Sequence, residues 1–295
     1  MRIFCATAVS INAFAGSLVF LLLATSAGAA PPAPDSLGIS PDITAKFSGV
    51  TLGGRDVALD DLLGVVVAED LGVLPAGSDV TGYHLASNGD RLFSLDTTAV
   101  LAGPLTVAPG DVVRYDGVTY TLEFDAAARD LPNSVSTDAI SQTLAGKLLL
   151  SFDTTVDLGS FTAEDEDLVE FDASIFALVF DGSAAGVDTS LDLNGAHDRF
   201  GGFLALSFDT SGKVGGVDFD DEDVLQYDSG TGTWSLLIDY STLQANAPPV
   251  DAQAIAVPEP AALLYLLPGI IFLFALPRSR SRHLNQSTRT GAADG

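Results

Sequence analysis

Hydrophobic and polar residues alternate along much of this chain in short runs that end in turn residues. In Leu148–Phe152, the side chains of Leu148, Leu150 and Phe152 share one face, and Leu149 and Ser151 share the other. An Asp-Thr pair follows this run, and such a pair favours the start of a turn. Alternation with a period of two between turn signals predicts β-strands.

Groups of these runs recur at steps of 56 or 57 residues, which indicates an internal repeat. The first recurring segment is Asp111–Asp116, Asp167–Asp172 and Asp223–Asp228. The second is Leu92–Thr97, Leu149–Thr154 and Ala205–Thr210, and the third is Thr121–Asp125, Ala177–Asp181 and Ser235–Asp239. Three full repeats therefore extend over about residues 79–134, 135–190 and 191–246.

Each repeat contains four predicted strands, of which the weakest are Asp79–His84, Asp138–Gln142 and Asp192–His197. Four strands in a repeat of about 56 residues are typical of a propeller blade. Residues 42–78 form a partial repeat without the weak strand, and Val250–Ile255 is similar enough to Leu191–Ala196 to supply it. We therefore predict an all-β domain over residues 42–256, a small four-bladed β-propeller or propeller-like array with a closing strand at 250–255. An open β-solenoid or a two-sheet sandwich is the alternative.

The first 29 residues have the features of a secretory signal peptide. Arg2 supplies a positive charge, residues 13–24 are apolar, and Ala27, Gly28 and Ala29 form a small-residue cleavage motif. We expect export by the Sec translocon and cleavage by signal peptidase after Ala29. Cys5, the single cysteine, lies in the segment removed, so the mature protein is expected to contain no disulfide. A Pro-rich linker is predicted at residues 30–41.

Near the other end of the chain, a short motif, an apolar run and a basic cluster follow one another. The motif is Val257, Pro258, Glu259 and Pro260, the run covers residues 261–276, and the cluster contains Arg278, Arg280 and Arg282. Sixteen residues in a helix extend about 24 Å, slightly less than a hydrocarbon core of about 30 Å. We predict one transmembrane helix there, with the arginines holding its C-terminal end in the cytoplasm.

Residues 257–283 resemble the PEP-CTERM sorting signal of Gram-negative bacteria, and a polar tail follows at 284–295. The resemblance implies that the inner membrane holds the chain until an exosortase recognises and removes the signal. It also implies delivery to the cell surface or the extracellular space, and a link to exopolysaccharide or biofilm. An ordinary single-span membrane anchor is the alternative interpretation of the same residues.

The net charge of the chain limits the kinds of molecule that it can bind. The whole chain carries a net charge of −26, and residues 31–257 hold 37 acidic and 8 basic residues, a net charge of −29. Such a surface repels nucleic acid and anionic lipid headgroups, so we exclude nucleic-acid binding. It is compatible with divalent or cationic partners.

Most aspartates recur once per repeat at strand ends, where a carboxylate typically binds backbone N–H groups of a turn. Two loops are denser and are the candidates for calcium, which takes six to eight oxygen ligands. The candidate ligands are Glu164, Asp165, Glu166, Asp218, Asp220, Asp221 and Glu222. A merely solvated acidic edge is the alternative, and we predict no required cofactor.

Catalytic signals are few. His84 and His197 are separated by 113 residues, which is two repeat periods, and Ile140 was aligned between them. They are predicted to pack on the inner strands, although a ring could also bring them to a central channel as metal ligands. The sequence contains no nucleophile elbow, metalloprotease helix motif or phosphate-binding loop. We therefore expect a noncatalytic surface or matrix protein, with a binding module for a glycan, Ca²⁺ or a protein as the alternative. A secreted hydrolase that uses the ring centre is a third possibility.

Overall fold

The computed structural model describes residues 36–41 and 43–243, which fold into four main antiparallel β-sheets and four short hairpins, arranged as a four-bladed β-propeller-like ring. Helical structure in these ranges is limited to a 3₁₀ turn and two short helices. They are the 3₁₀ turn Ala127–Arg129, α1 (Gly182–Ala185) and α2 (Tyr240–Leu243). The predicted all-β, propeller-like fold is confirmed.

The sheets follow the sequence repeats. The first blade contains β1 (Leu37–Ile39), β4 (Ala58–Asp60) and β5 (Val66–Ala68), with β2 (Ala45–Phe47) and β3 (Val50–Leu52) between β1 and β4. The second contains β6 (Val80–Leu85), β7 (Arg91–Leu95), β10 (Val112–Tyr115) and β11 (Tyr120–Phe124). The third contains β12 (Thr137–Gln142), β13 (Leu148–Phe152), β16 (Leu168–Asp172) and β17 (Ile175–Phe180). The fourth contains β18 (Leu193–Asp198), β19 (Phe203–Phe208), β22 (Val224–Asp228) and β23 (Thr233–Ile238).

Every blade also has a short hairpin that the sequence analysis did not predict, between the second and third main strands of the three full blades and between β1 and β4 of the first. In the first blade this hairpin is β2–β3. The others pair β8 (Ala99–Leu101) with β9 (Leu105–Val107), β14 (Val156–Asp157) with β15 (Thr162–Ala163), and β20 (Gly212–Val214) with β21 (Val217–Phe219). Strands of two or three residues are too short to show a clear period of two, which is why four strands per full repeat were predicted where six form.

Strand β1 lies inside residues 30–41, the range given to a linker, so the first blade begins before residue 42. Leu37 and Ile39 are almost completely buried, and β1 pairs with β4. The Ser40 hydroxyl donates to the carbonyl oxygens of Gly54 and Asp56. The flanking prolines hid this strand, because Pro normally marks loops and edges.

The hydrophobic core is divided into four clusters, each between two neighbouring blades. One cluster joins the first blade to the last, since Leu37, Phe47 and Leu52 pack with Val224 and Ile238. Burying a side chain of this size stabilises the fold by about 1.5–3 kcal/mol. Packing between the first and last blades therefore closes the ring within the described residues.

Backbone hydrogen bonds also connect successive blades at equivalent positions. The first residue of each inner strand donates its N–H to a carbonyl oxygen in the preceding blade. The pairs are Val80 to Gly54 (2.7 Å), Thr137 to Pro109 (3.1 Å) and Leu193 to Asp165 (3.2 Å). Each inner strand is thus positioned by the loop that precedes the third main strand of its neighbour.

Candidate functional site

The inner strands β6, β12 and β18 converge at the centre of the ring and form the candidate site. Each is an edge strand of its sheet, and the three lie close to one another. Their residues are mostly buried, whereas the outer strands β17 and β23 are largely exposed. Side chains from different blades therefore meet at the ring centre, which is enclosed by protein.

His84 on β6 and His197 on β18 stack on each other across this centre. Their ring centroids are 5.6 Å apart and the ring planes differ by 26°. Each residue is 5% exposed. Among the described residues, Nδ1 of His84 and both ring nitrogens of His197 have no hydrogen-bond partner. The ring thus brings the two predicted histidines together.

The third member of this position is Ser141, and the alignment with Ile140 was wrong by one residue. Strand registers place His84 opposite Leu92, Ser141 opposite Leu149, and His197 opposite Ala205. The step from His84 to Ser141 is 57 residues, and the step from Ser141 to His197 is 56. Taking 56 residues for the first step placed the middle position one residue too early, at Ile140. The Ser141 hydroxyl oxygen accepts the backbone N–H of Asp198 at 3.1 Å.

Burial keeps both imidazoles uncharged near neutral pH. It lowers the pKa of His84 to about 4, with a further contribution from the Arg114 guanidinium. The pKa of His197 lies well below its ordinary value because of burial, then His84, then Arg199. Neutral rings can stack closely without charge repulsion, and their free nitrogens can accept or donate hydrogen bonds.

An acidic cluster lies at the other end of the inner strands, between the third and fourth blades. It comprises the carboxylates of Asp138, Asp153, Asp165, Asp192 and Asp209. Burial raises the pKa of Asp138 well above its ordinary value, and the other four carboxylates, beginning with that of Asp192, raise it further.

The pKa of Asp192 is raised for the same reasons as that of Asp138. Burial raises its pKa to about 7, with additional effects of Asp209, Asp165 and Asp153. Its Oδ1 atom is buried and has no hydrogen-bond partner among the described residues. Bringing like charges together in a partly buried region favours protonation or the approach of a cation.

The aspartate that precedes the third main strand of each full repeat binds backbone through both carboxylate oxygens. Asp111 Oδ2 accepts the N–H of Ala108 at 2.8 Å, and Oδ1 accepts the N–H of Ala126 at 2.9 Å. Asp167 and Asp223 make the same two kinds of contact. These carboxylates join the loop before the third strand to the turn after the fourth.

Most of the other recurring aspartates also bind backbone N–H groups, as predicted, whereas Asp172 forms an ion pair with Lys147 at 3.2 Å. Oδ1 of Asp125, Asp181 and Asp239 accepts an N–H three residues further along, at the start of a helical turn. Asp153 and Asp209 instead accept N–H groups at the beginning of the adjacent inner strand, at 2.8 and 3.1 Å. Much of the acidity of the repeats therefore has a structural role.

The acidic residues of the first predicted calcium loop lie in two different environments. Glu164 and Glu166 both accept a hydrogen bond from the Ser183 hydroxyl, and Glu166 is fully buried. Asp165 instead belongs to the acidic cluster. Its pKa is raised by burial and then by the neighbouring Glu166.

The acidic residues of the second predicted calcium loop also have separate partners. Asp218 forms an exposed ion pair with Lys213 at 2.8 Å, and Asp221 accepts a hydrogen bond from the Ser211 hydroxyl at 3.5 Å. Burial, then Asp221 and Asp220, raise the pKa of Glu222 to about 7. Over residues 36–41 and 43–243, no group of three or more His, Cys, Asp or Glu residues is placed to hold a metal ion.

The predicted sorting and cleavage residues lie outside the described ranges. They are Ala27, Ala29, Val257, Pro258, Glu259, Pro260, Arg278, Arg280 and Arg282. The predicted transmembrane segment at 261–276 and closing strand at 250–255 lie outside them as well. Within the part of the chain that the structure describes, no helix is both long and apolar enough to cross a membrane.

Sequence reasoning missed two residues of the inner strands, Ser141 beside the histidines and Asp138 in the acidic cluster. Ser141 could have been found by applying the 57-residue step from His84. Asp138 is equivalent to Thr81 and Asn194 in the other inner strands, so no repeated acidic pattern marks it. Its unusual environment arises from neighbours in two blades, which only the folded ring brings together.

No family model matches this chain, and no curated protein matches it. Among solved structures, one of YCF48 bound to D1 peptide is 10% identical, with a TM-score of 0.31, and covers 63% of this chain and 50% of its own. Virginiamycin B lyase from Staphylococcus aureus is 7% identical, with a TM-score of 0.31 and coverages of 68% and 69%. A luciferin-regenerating enzyme is 12% identical, with a TM-score of 0.32 and coverages of 68% and 61%. This chain thus spans half of the YCF48 structure, and similarities at this level say nothing about activity or ligand.

Proposed function

We propose that this protein is a noncatalytic surface or matrix protein that an exosortase sorts and processes. The observation that carries the proposal is the arrangement of residues 257–283, where a Pro-Glu-Pro motif, an apolar run and three arginines follow one another. The propeller-like domain precedes this arrangement in the chain. Its own role is to present a stable acidic body outside the cell, where it associates with exopolysaccharide or biofilm.

The described fold is compatible with an extracellular location. Its stability comes from interblade packing and from backbone contacts of repeated aspartates, so it needs no disulfide. A net charge of −29 over residues 31–257 favours solubility after release. In this proposal the C-terminal helix holds the chain in the inner membrane only until the sorting signal is removed.

Intact mass of the protein from each cell fraction of its native host tests the proposal. The expected surface or extracellular product lacks residues 1–29 and everything after about Pro260, with any extra mass reporting an attached lipid or glycan. Glu259→Ala in the sorting motif should leave the unprocessed chain in the membrane fraction. Pro248→Ala in the preceding Pro-rich segment is the matched control and should be processed normally.

A full-length C-terminus in the membrane fraction of the native host would contradict the sorting proposal. The protein would then be a membrane-anchored propeller. Equal processing of the Glu259→Ala and Pro248→Ala variants would remove the motif from the mechanism, even if a truncated product were found.

The acidic cluster favours a second candidate function, the binding of Ca²⁺ at the ring. Asp138 and Asp192 are both more easily protonated than ordinary aspartates, and several carboxylates surround them. A divalent cation would relieve the same repulsion, although the carboxylates would have to draw closer together to coordinate it.

The melting temperature in Ca²⁺, Mg²⁺ and NaCl at matched ionic strength tests this alternative. Calcium binding predicts a rise in melting temperature that Ca²⁺ alone produces and that Asp138→Asn abolishes. Asp188→Asn, at an exposed carboxylate outside the cluster, should leave the rise unchanged. Equal shifts in all three salts would show ordinary ionic screening and would rule out a specific site.

A further inference from the structure

The recurring aspartate of the first blade makes only one of the two side-chain contacts that it makes in the other blades. In the full blades, its Oδ1 accepts an N–H at the start of the helical turn after the fourth strand, from Ala126, Gly182 or Tyr240. The equivalent residue of the first blade is Asp56, whose Oδ2 accepts the N–H of Gly53 at 2.9 Å. No helical turn follows β5, and Oδ1 of Asp56 accepts no hydrogen bond from the residues that the structure describes. This carboxylate oxygen is therefore available to a ligand.

Two cavities meet at this position. One of about 260 Å³ lies between Asp56 and the segment after β5, residues 69–74. The other, of about 350 Å³, shares Arg55 and Asp56 with the first, and Thr44 and Thr51 also line it. We call the two cavities together the Arg55 cleft. Pockets that hold small ligands measure about 300–1,000 Å³, so the cleft has the size of a binding site.

Arg55 is an unpaired cation in an acidic domain. In the other blades, the residue directly before the recurring aspartate is Gly110, Glu166 or Glu222. Arg55 is exposed, and among the described residues no carboxylate lies within ion-pair distance of its guanidinium. Arg91 and Arg114, by contrast, are paired with carboxylates at 2.9 and 2.8 Å. The N–H donors of Arg55 are therefore free to bind a ligand.

The polar groups of the Arg55 cleft favour an uncharged ligand that is rich in hydroxyl groups. Arg55 can only donate hydrogen bonds, whereas the carboxylates of Asp56, Glu69 and Asp70 can accept them. A hydroxyl group does both, so neighbouring hydroxyls of one ligand can satisfy both kinds of partner. The surrounding carboxylates would repel a polyanion, and the guanidinium would repel a cation.

We propose that the Arg55 cleft binds a segment of an uncharged glycan that extends through both cavities. Arg55 donates to hydroxyl oxygens of the glycan, and Oδ1 of Asp56 accepts from a neighbouring hydroxyl. Val73, which also lines the cleft and is largely exposed, packs against the C–H groups of a sugar ring. The proposal deepens the proposed association with exopolysaccharide and rests on it for the presence of a glycan, but it does not depend on processing of the tail.

Affinity electrophoresis of the full chain in detergent tests the proposal. The probe is the exopolysaccharide of the native host, separated by anion exchange into an uncharged and an acidic fraction. The cleft variants are Arg55→Ala and Asp56→Asn, and the asparagine keeps a side-chain oxygen that can accept the N–H of Gly53. Lys46→Ala is the matched control, because Lys46 is an exposed cation that lines neither cavity.

The uncharged fraction should retard the wild type and Lys46→Ala equally. Each cleft variant should bind this fraction with a Kd about tenfold higher, the loss expected for one hydrogen bond to a charged group. β-sheet circular dichroism should be the same for all variants, because the substituted side chains are not part of the core.

Three results would overturn the proposal, each in a different way. If both cleft variants bound the uncharged fraction as tightly as the wild type, the site would be wrong, but the association with exopolysaccharide would stand. If only the acidic fraction retarded the protein, the class of ligand would be wrong. If neither fraction retarded it, both the site and that association would be wrong. Sorting is tested separately by intact mass, and its failure would not change any of these results.

Discussion

Replacing Asp192 by Asn should stabilise the folded protein at alkaline pH. In the folded state the pKa of Asp192 is raised to about 7 by burial and by Asp209, Asp165 and Asp153. An aspartate in an unfolded chain has a pKa of about 3.9. The folded state therefore prefers the protonated carboxyl, and the stability it retains below pH 4 is lost as the pH rises through about 7.

The size of the effect follows from the separation of the two pKa values. A tenfold change in the ionisation constant corresponds to about 1.4 kcal/mol, so a fully buried group would lose about 4 kcal/mol above pH 7. Asp192 remains partly exposed, and solvent screening reduces this to about 2 kcal/mol. The advantage of Asp192→Asn over the wild type should thus grow from below about 1 kcal/mol at pH 5 to about 2 kcal/mol at pH 8.

Urea unfolding followed by Trp234 fluorescence can measure this difference, because the chain contains one tryptophan. The indole lies against Phe180 and Tyr227, so unfolding should change its emission. Asp157→Asn removes the same charge from the exposed end of strand β14, and its effect on the free energy of unfolding should be the same at pH 5 and pH 8. A constant advantage for Asp192→Asn across this range would refute the assignment of a raised pKa to Asp192.

Two further substitutions test packing between distant parts of the chain, each by the change in free energy of unfolding. Tyr240→Phe removes the 2.8 Å hydrogen bond from the buried Tyr240 hydroxyl to Asp60 and should cost about 1.5–3 kcal/mol. Tyr120→Phe loses a bond to an uncharged carbonyl and should cost less, so an equal loss would contradict the role of Asp60. Gly182→Ala should cost about 1–3 kcal/mol, since its Cβ would lie 2.4 Å from Cγ of Glu166, and an unchanged stability would contradict that close contact.

The repeated part of the fold could be predicted because its signals are local and occur three times. Asp111, Asp167 and Asp223 mark equivalent loops, and their recurrence locates the third strand of each full blade. The alternation around Leu148–Phe152 likewise predicted β13 at its observed bounds. Several weak local patterns at one spacing support each other more strongly than any one of them alone.

The candidate site was harder to predict from the sequence, because it depends on the registers between paired strands. A displacement of one residue along a strand changes the face on which a side chain lies. For that reason the assignment of Ile140 missed Ser141 at the ring centre. The perturbed Asp138 depends on carboxylates from two blades, so neither its own segment nor its repeat equivalents Thr81 and Asn194 indicate its surroundings.

The hydrogen bonds between blades also constrain how such a domain can evolve. Each inner strand is anchored by a loop of the preceding blade, as Thr137 is by Pro109 and Leu193 is by Asp165. In an open repeat array, a unit can be gained or lost at an end while the other interfaces are retained. In a ring, the same event changes the angle at every interface, so the number of repeats can change only if all of the blades repack together.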